Sequence, residues 1–179
     1  MIHVARKTKK QTRGILAAII VLVIAVGVLA YLNRGDLDRK KELETQAEFA
    51  LTYESTEHRV TMQDILALGP VDFTTVVRTS TAGPRNVTFR GVELRRVLEK
   101  YGIPINEDST IEVMALDGYV SVVYGDEVLE EENVYITIAM DGEPLKPKSE
   151  GGSGPYYLVI RGTEFAQRWV KFMEEITVQ

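Results

Sequence analysis

From Ile15 to Leu32 the chain runs for 18 residues without a charge, broken in its apolar character only by Gly27 and closing on Tyr31 and Leu32. A helix rises about 1.5 Å per residue, so the run measures roughly 27 Å, close to a hydrocarbon core of about 30 Å. It is apolar all round, whereas a helix on a globular surface shows one apolar stripe, and this points to a membrane segment rather than a core helix. Arg6, Lys7, Lys9, Lys10 and Arg13 precede it with no acidic residue among them. Short basic flanks stay on the cytoplasmic side. The expected topology is a basic cytoplasmic tail over 1–13, a transmembrane signal anchor over 14–32, and everything later outside the cytoplasm at the cell membrane. A cleavable signal peptide ending at Val28-Leu29-Ala30 is the rival. The run exceeds the apolar region of about 7 to 15 residues typical of such peptides, which favours a retained anchor.

Charge changes sign beyond the span. Removing the five basic residues before Ile15 from the total of 21 leaves 16, against 26 Asp and Glu, a net charge near −10 for the exported part. Such a surface excludes nucleic acid and anionic lipid as general partners. The chain contains no cysteine, so neither a lipoprotein anchor nor a disulfide is available on the oxidising side of a membrane. The domain must rest on its own core, and about 130 residues can supply one.

The segments after the span follow from their patterns. Asn33 to Glu48 is a charged stalk, and the globular part, 49–179, begins at Phe49. Thr61-Met-Gln-Asp64 before Ile65 and Leu66 has the form of an N-capped short helix stopped by Gly69-Pro70. Val71 to Arg78 is β-branched and aromatic, hence a strand; 79–86 is rich in turn formers; Val87 to Phe89 is a short extended piece. Val92, Leu94, Val97 and Leu98 fall on one helical face closed by Gly102. Asp117-Gly118 between two β-rich runs predicts a hairpin, Asp141-Gly142 a second turn, and Tyr156 to Arg161 a core strand. The fold class predicted is a single mixed α+β domain.

Five segments in order, GVELRRVLEKYGI from Gly91, then ALDGYV, MDGEPL, GGSGPYYLVI and RWVKFMEEITV, resemble the molybdopterin-binding domain of the sulfite oxidase family of oxidoreductases. The resemblance covers roughly residues 60 to 178. It implies a sulfite oxidase-like fold without the family's second, immunoglobulin-like domain, and a molybdopterin cofactor. In that family a cysteine thiolate binds molybdenum on the loop after the strand that here ends near Arg78, and the matching stretch is Thr79-Ser80-Thr81. A hydroxyl at Ser80 is a hard, poorly ionised ligand that does not replace a soft thiolate. The resemblance therefore implies the pterin site more than the metal.

By the same resemblance, Arg78 and Arg85 flank the loop that holds metal and substrate oxyanions, and arginine forks suit such anions. Lys171 in RWVKF matches a position near the cofactor, where an ammonium meets phosphate as a point charge. Gly151 and Gly152 lead into a core strand near the cofactor and could present N–H groups to an anion. The plain alternatives are surface charges for the arginines, an ion pair with Glu174 or Glu175 for Lys171, and a flexible lead-in for the glycines. Tyr119 and Tyr156 are candidates for the same concavity.

Other chemistry is nearly absent. His3 and His58 are the only histidines, so no His-based zinc site or Ser-His-Asp triad can be built. Asp126, Glu127 and Glu130 to Glu132 lack EF-hand spacing and read as a solvated acidic face. Two functions remain. One is a membrane-anchored, non-catalytic module that binds a small anion or a protein. The other is an oxidoreductase or electron-transfer protein that retains the pterin and serves a membrane redox partner.

Overall fold

The computed structural model describes residues 15–16, 18–28, 47–78, 83–163 and 166–179. The chain divides into two units, Met1–Lys41 and Glu42–Gln179. In the first, 15–16 and 18–28 are helical with exposed side chains. The rest of the expected anchor, the basic tail and the stalk up to 46 lie outside the described residues. Among the described residues, no helix is long and apolar enough to cross a membrane.

The second unit is an α+β domain of two sheets. In chain order its elements are β1 (Glu48–Tyr53), β2 (Thr56–Thr61), α1 (Met62–Ala67), β3 (Val71–Val77), β4 (Arg85–Glu93), α2 (Leu94–Lys100), β5 (Thr110–Ala115), β6 (Val120–Tyr124), α3 (Gly125–Leu129), β7 (Val134–Met140), β8 (Glu143–Pro144), β9 (Tyr157–Ile160) and β10 (Met173–Val178). The first sheet has the order β2-β1-β10-β5-β6; β1 and β10 are parallel and the other pairs antiparallel. The second runs β3-β4-β7, with β8 and β9 both pairing β7. Strand β7, VYITIAM, is buried along most of its length because strands flank it on both sides, as its unbroken apolar run requires.

Local chemistry sets the boundaries. Thr61 caps α1 through a reciprocal box: Asp64 N–H donates to Thr61 Oγ1 at 3.2 Å, and Thr61 N–H donates to Asp64 Oδ2 at 2.9 Å. Removing such a cap costs about 0.5–2 kcal/mol. The Asp117-Gly118 hairpin and the Asp141-Gly142 turn both form, the latter with positive φ at both residues (52° and 86°), the geometry that matches the twist of two strands.

One expectation is corrected. Val92 does not lie on the α2 face. It belongs to β4, which is nine residues long rather than a short piece at 87–89, and it pairs with Ile136. The Val92/Leu94 spacing has the strand's period of two. Gly91 makes this possible: a Cβ there would meet the Ile136 carbonyl oxygen at 2.5 Å, so only glycine lets β4 lie this close to β7.

A single apolar cluster joins the sheets. Leu51, Ile111, Val113, Val123 and Ile176 come from the first sheet, Phe89, Val92, Ile136 and Leu158 from the second, and Leu94, Val97 and Leu98 from α2.

Candidate functional site

A cavity of about 400 Å³ opens where the strand ends of the two sheets meet. Val77 and Arg85, cross-strand partners at the open end of the β3–β4 pair, form one side. Phe89 and Met140, partners between β4 and β7, form its floor with Tyr157 and Trp169. The β5–β6 hairpin contributes Ala115, Asp117 and Tyr119, and the segment before β10 contributes Lys171 and Phe172.

That last segment is held firmly. Leu158 and Val170 exchange backbone hydrogen bonds of 2.9 and 3.1 Å, Phe172 N–H donates to the Ser153 carbonyl at 3.0 Å, and the Trp169 indole N–H donates to the Ile160 carbonyl at 2.9 Å. Lys171 is thereby aimed over the Tyr157 ring, 5.8 Å from its centre. Phe89, Tyr157 and Trp169 meet edge to face at 5.8 to 6.0 Å, a preferred arrangement of aromatic rings.

Two cations reach the cavity of an otherwise acidic domain. Arg85 and Lys171 both line the cavity. Arg85 Nη1 is 3.8 Å from Asp141 Oδ2, an exposed pair of little energetic weight. Asp141 is itself fixed, exchanging hydrogen bonds with the Thr88 backbone at 2.7 and 3.0 Å. Burial pushes the Tyr157 hydroxyl up to about 12, with the Arg85 charge acting in the opposite direction, so Tyr157 is neutral at ordinary pH. Lys148, outside the lining, is 3.6 Å from Asp117 and 5.2 Å from the centre of the Phe172 ring, both lining residues.

Of the residues singled out in the sequence, the fold brings Arg85, Lys171 and Tyr119 into one cavity. Lys171 lies against Tyr157 rather than pairing with Glu174 or Glu175. Arg78 is exposed and outside the cavity lining; its carbonyl accepts from the Ala166 N–H at 3.2 Å. Ser80 lies outside the described residues. Tyr156 is fully buried with its hydroxyl donating to the Ala47 carbonyl, and the cavity takes its neighbour Tyr157, the first residue of β9, instead.

The glycine segment is neither an anion nest nor a loose lead-in. The N–H groups of Gly151, Gly152 and Gly154 donate to the carbonyls of Lys148, Pro147 and Lys146 at 3.0, 3.0 and 2.8 Å. A Cβ on Gly152 would sit 2.0 Å from the Lys146 carbonyl oxygen, so glycine is needed for close packing. Ser153, not Gly151 or Gly152, reaches the cavity.

Sequence reasoning missed Tyr157, Trp169, Phe89 and Phe172. Each reads as a core aromatic, and only Trp169 and Phe172, bracketing Lys171, carried a local signal. Among the described residues no group of three or more His, Asp or Glu side chains converges as a metal site, and the chain has no thiolate to offer. The cavity's donors are cationic, hydroxyl, amide, a lone carboxylate and the Met140 thioether. They suit an anion, and they do not fit a molybdenum centre that needs a protein thiolate.

Residues 35–179 match the oxidoreductase molybdopterin binding domain family. Among solved structures the chain is similar to the sulfane dehydrogenase SoxCD from Paracoccus pantotrophus, with 16% identity and a TM-score of 0.60. The match covers 73% of this chain and 37% of that one, so the chain spans little more than a third of that structure's length. At this identity the likeness shows the fold alone. No curated protein matches the sequence.

Proposed function

The chain belongs to the oxidoreductase molybdopterin-binding domain family, and from that premise we propose that it is a binding module for a small anion, without molybdenum chemistry of its own. The observation that carries this reading is the cavity itself: Arg85 and Lys171 bring two cations to aromatic walls in a domain with no cysteine. An anion with a flat body has its charge met by the guanidinium and ammonium, and its ring met by Tyr157 and Trp169. An anionic pterin belongs to that class, and so do simpler oxyanions if the rings serve only as walls.

In this reading the residues bind and orient; none moves a proton. Tyr157 stays protonated and contributes its ring and a hydroxyl. Lys171 and Arg85 attract the anion over short range, since the surrounding acidic surface repels it elsewhere. The module is carried outside the membrane by the apolar stretch from Ile15 to Leu32, a reading supported by the basic residues before it and the acidic domain after it.

The test is a calorimetric titration of the purified chain with a pterin, inorganic phosphate and sulfite, together with elemental analysis for molybdenum. Binding of one of these anions, weakened in Arg85→Ala and Lys171→Ala, supports the reading. Stoichiometric molybdenum would overturn it in favour of the pterin-dependent oxidoreductase.

A further inference from the structure

The first sheet covers the core with one face and shows the other to solvent, and that outer face is not uniform. Cross-strand partners share a face, so the register places Thr110, Glu112 and Met114 of β5 beside Tyr124, Val122 and Val120 of β6. Next to them on β10 stand Thr177, opposite Glu112, and Glu175, opposite Met114. Toward β1 and β2 the same face carries Thr52, Glu57 and Arg59 and is polar. At the β6 end it is apolar. Val120 is 47% exposed and Tyr124 53%, among the most exposed large hydrophobics of the folded unit.

The outward backbone edge of β6 is already occupied. Arg168 donates to the Val122 carbonyl and pairs with Glu127 at 2.6 Å, while Glu127 accepts from the Tyr124 N–H at 3.0 Å. These contacts obstruct strand addition at the Val122–Tyr124 end of this edge. What is left open is the side-chain face.

The charge around it is predominantly negative. From Tyr101 to Leu145 the sequence holds no Lys or Arg and eleven Asp and Glu. Glu112 and Glu175 lie on the face itself. At its Tyr124 end the 106–109 turn packs on the start of α3, with Gly125 N–H donating to the Ser109 carbonyl at 2.8 Å, which brings Glu107, Asp108 and Asp126 to the same border. Arg168, whose guanidinium lies 6.0 Å from the centre of the Tyr124 ring, is paired with Glu127.

We propose that the Met114–Val120–Val122–Tyr124 face is a docking surface for a protein partner that presents an apolar ridge edged with lysines or arginines. An exposed apolar patch framed by charge has the anatomy of a transient interface: apolar contact supplies adhesion, and the acidic border sets orientation and association rate. A second copy of this chain is disfavoured as the occupant, because it would bring Glu112 and Glu175 against the same acidic rim. The face is distinct from the cavity, so this inference does not depend on the anion reading.

The experiment uses the full chain and two synthetic amphipathic 14-residue helical peptides, one built of leucine and lysine, the other of leucine and glutamate. Binding is followed by fluorescence anisotropy at low and at physiological salt, and its place by amide chemical shifts. The leucine–lysine peptide is expected to bind, more weakly as salt rises, with shifts centred on 112–124, and the leucine–glutamate peptide to bind at least tenfold more weakly. Val120→Ser with Tyr124→Ser, and separately Glu112→Lys with Glu175→Lys, should each weaken the lysine peptide tenfold or more. Neither pair lies in the cavity, and amide spectra unchanged away from the substituted face report that the variants are folded. Equal binding of both peptides, shifts centred elsewhere, no binding, or self-association of the chain through this face in sedimentation would each overturn the proposal.

Discussion

Lys171 Nζ stands 5.8 Å from the centre of the Tyr157 ring, the two residues being brought together by the Leu158–Val170 backbone bridge and by the bonds from Phe172 N–H to the Ser153 carbonyl and from Met173 N–H to the Tyr156 carbonyl. The cation is thus positioned by pairing rather than by a carboxylate. A lysine held over a ring keeps its charge available to a third party, whereas one held in an ion pair does not.

The first prediction follows from that availability. Charge-assisted contacts to an anion are worth about 1.5–3 kcal/mol. Arg85 is more than half exposed, which places its share near the lower end. Lys171→Ala and Arg85→Ala should each weaken anion binding roughly tenfold, and Arg78→Ala should leave it unchanged because Arg78 does not line the cavity. Calorimetry on the three variants checks this. A loss at Arg78 equal to that at Arg85 would show that the site extends along β3 instead.

Gly152 gives a prediction about stability rather than binding. Its missing Cβ would lie 2.0 Å from the Lys146 carbonyl oxygen, so Gly152→Ala must displace backbone. Overpacking of this kind costs about 1–3 kcal/mol. Gly83→Ala meets nothing within 4 Å and serves as the control. Thermal unfolding should show a drop of several degrees for the first and almost none for the second.

How far the sequence carried the fold can be judged from these elements. Turns with a local cause were legible: the Thr61 box, Gly102, Asp117-Gly118 and Asp141-Gly142 all form as read, because the residues that need the turn geometry are the residues in the turn. Val92 was misassigned because two apolar residues at spacing two fit both a strand end and a helix face, and only the approach of β7 decides. At the site, Arg85 and Lys171 were recoverable through resemblance, whereas Tyr157 depended on where β9 begins. The exchange of Tyr156 for Tyr157 is a shift of one residue at the start of β9, and only the position of that strand's first residue decides which ring meets the cavity. Whether Gly151 and Gly152 offer N–H groups to an anion was not legible, because sequence shows that N–H groups exist and not that they are spent on the Lys148 and Pro147 carbonyls.

Topology is the third prediction. With the basic residues before Ile15 and the acidic domain after the apolar run, a periplasmic-type reporter such as alkaline phosphatase fused after Gln179 should be active, and a cytoplasm-only reporter silent. Replacing Arg6, Lys7, Lys9, Lys10 and Arg13 by glutamine should lower the active fraction. Activity of the cytoplasmic reporter in the unaltered chain would refute the orientation. A soluble product beginning at Tyr31 would replace the retained anchor by a cleaved signal.

Metal content is the fourth. Purified from cells supplied with molybdate, the chain should carry well under one molybdenum per molecule, because no thiolate is present and the cavity's donors are poor ligands for it. Ser80→Cys introduces a thiolate in the sequence between Val77 and Arg85, both of which line the cavity. A rise in bound molybdenum in that variant alone, read by elemental analysis, is the expected outcome. Stoichiometric metal in the unaltered chain would contradict the donor argument outright.

The last prediction concerns acid, and it rests on Asp64. The Lys100 ammonium, 2.6 Å from Oδ1, holds the Asp64 carboxyl well below the usual carboxylate range, and bonds from Thr61 add to the effect. A carboxyl whose folded pKa is depressed stabilises the fold fully above its unfolded pKa, and that contribution disappears as pH falls toward the folded value. The window for Asp64 therefore opens below about pH 4. Glu127, lowered chiefly by its hydrogen bonds from Arg168, acts with the same sign. Stability should be level from neutral pH to about 4 with respect to these groups and then decline. Lys100→Met removes the main cause of the Asp64 depression. Its melting temperature should lie below that of the unaltered chain at pH 7, and the gap should narrow on going to pH 3, where Asp64 in the variant has less left to lose. Thermal melts of both proteins at pH 7, 5 and 3 measure this. A gap that stays constant or widens in acid would show that Lys100 acts through packing of its stem and not through the Asp64 charge.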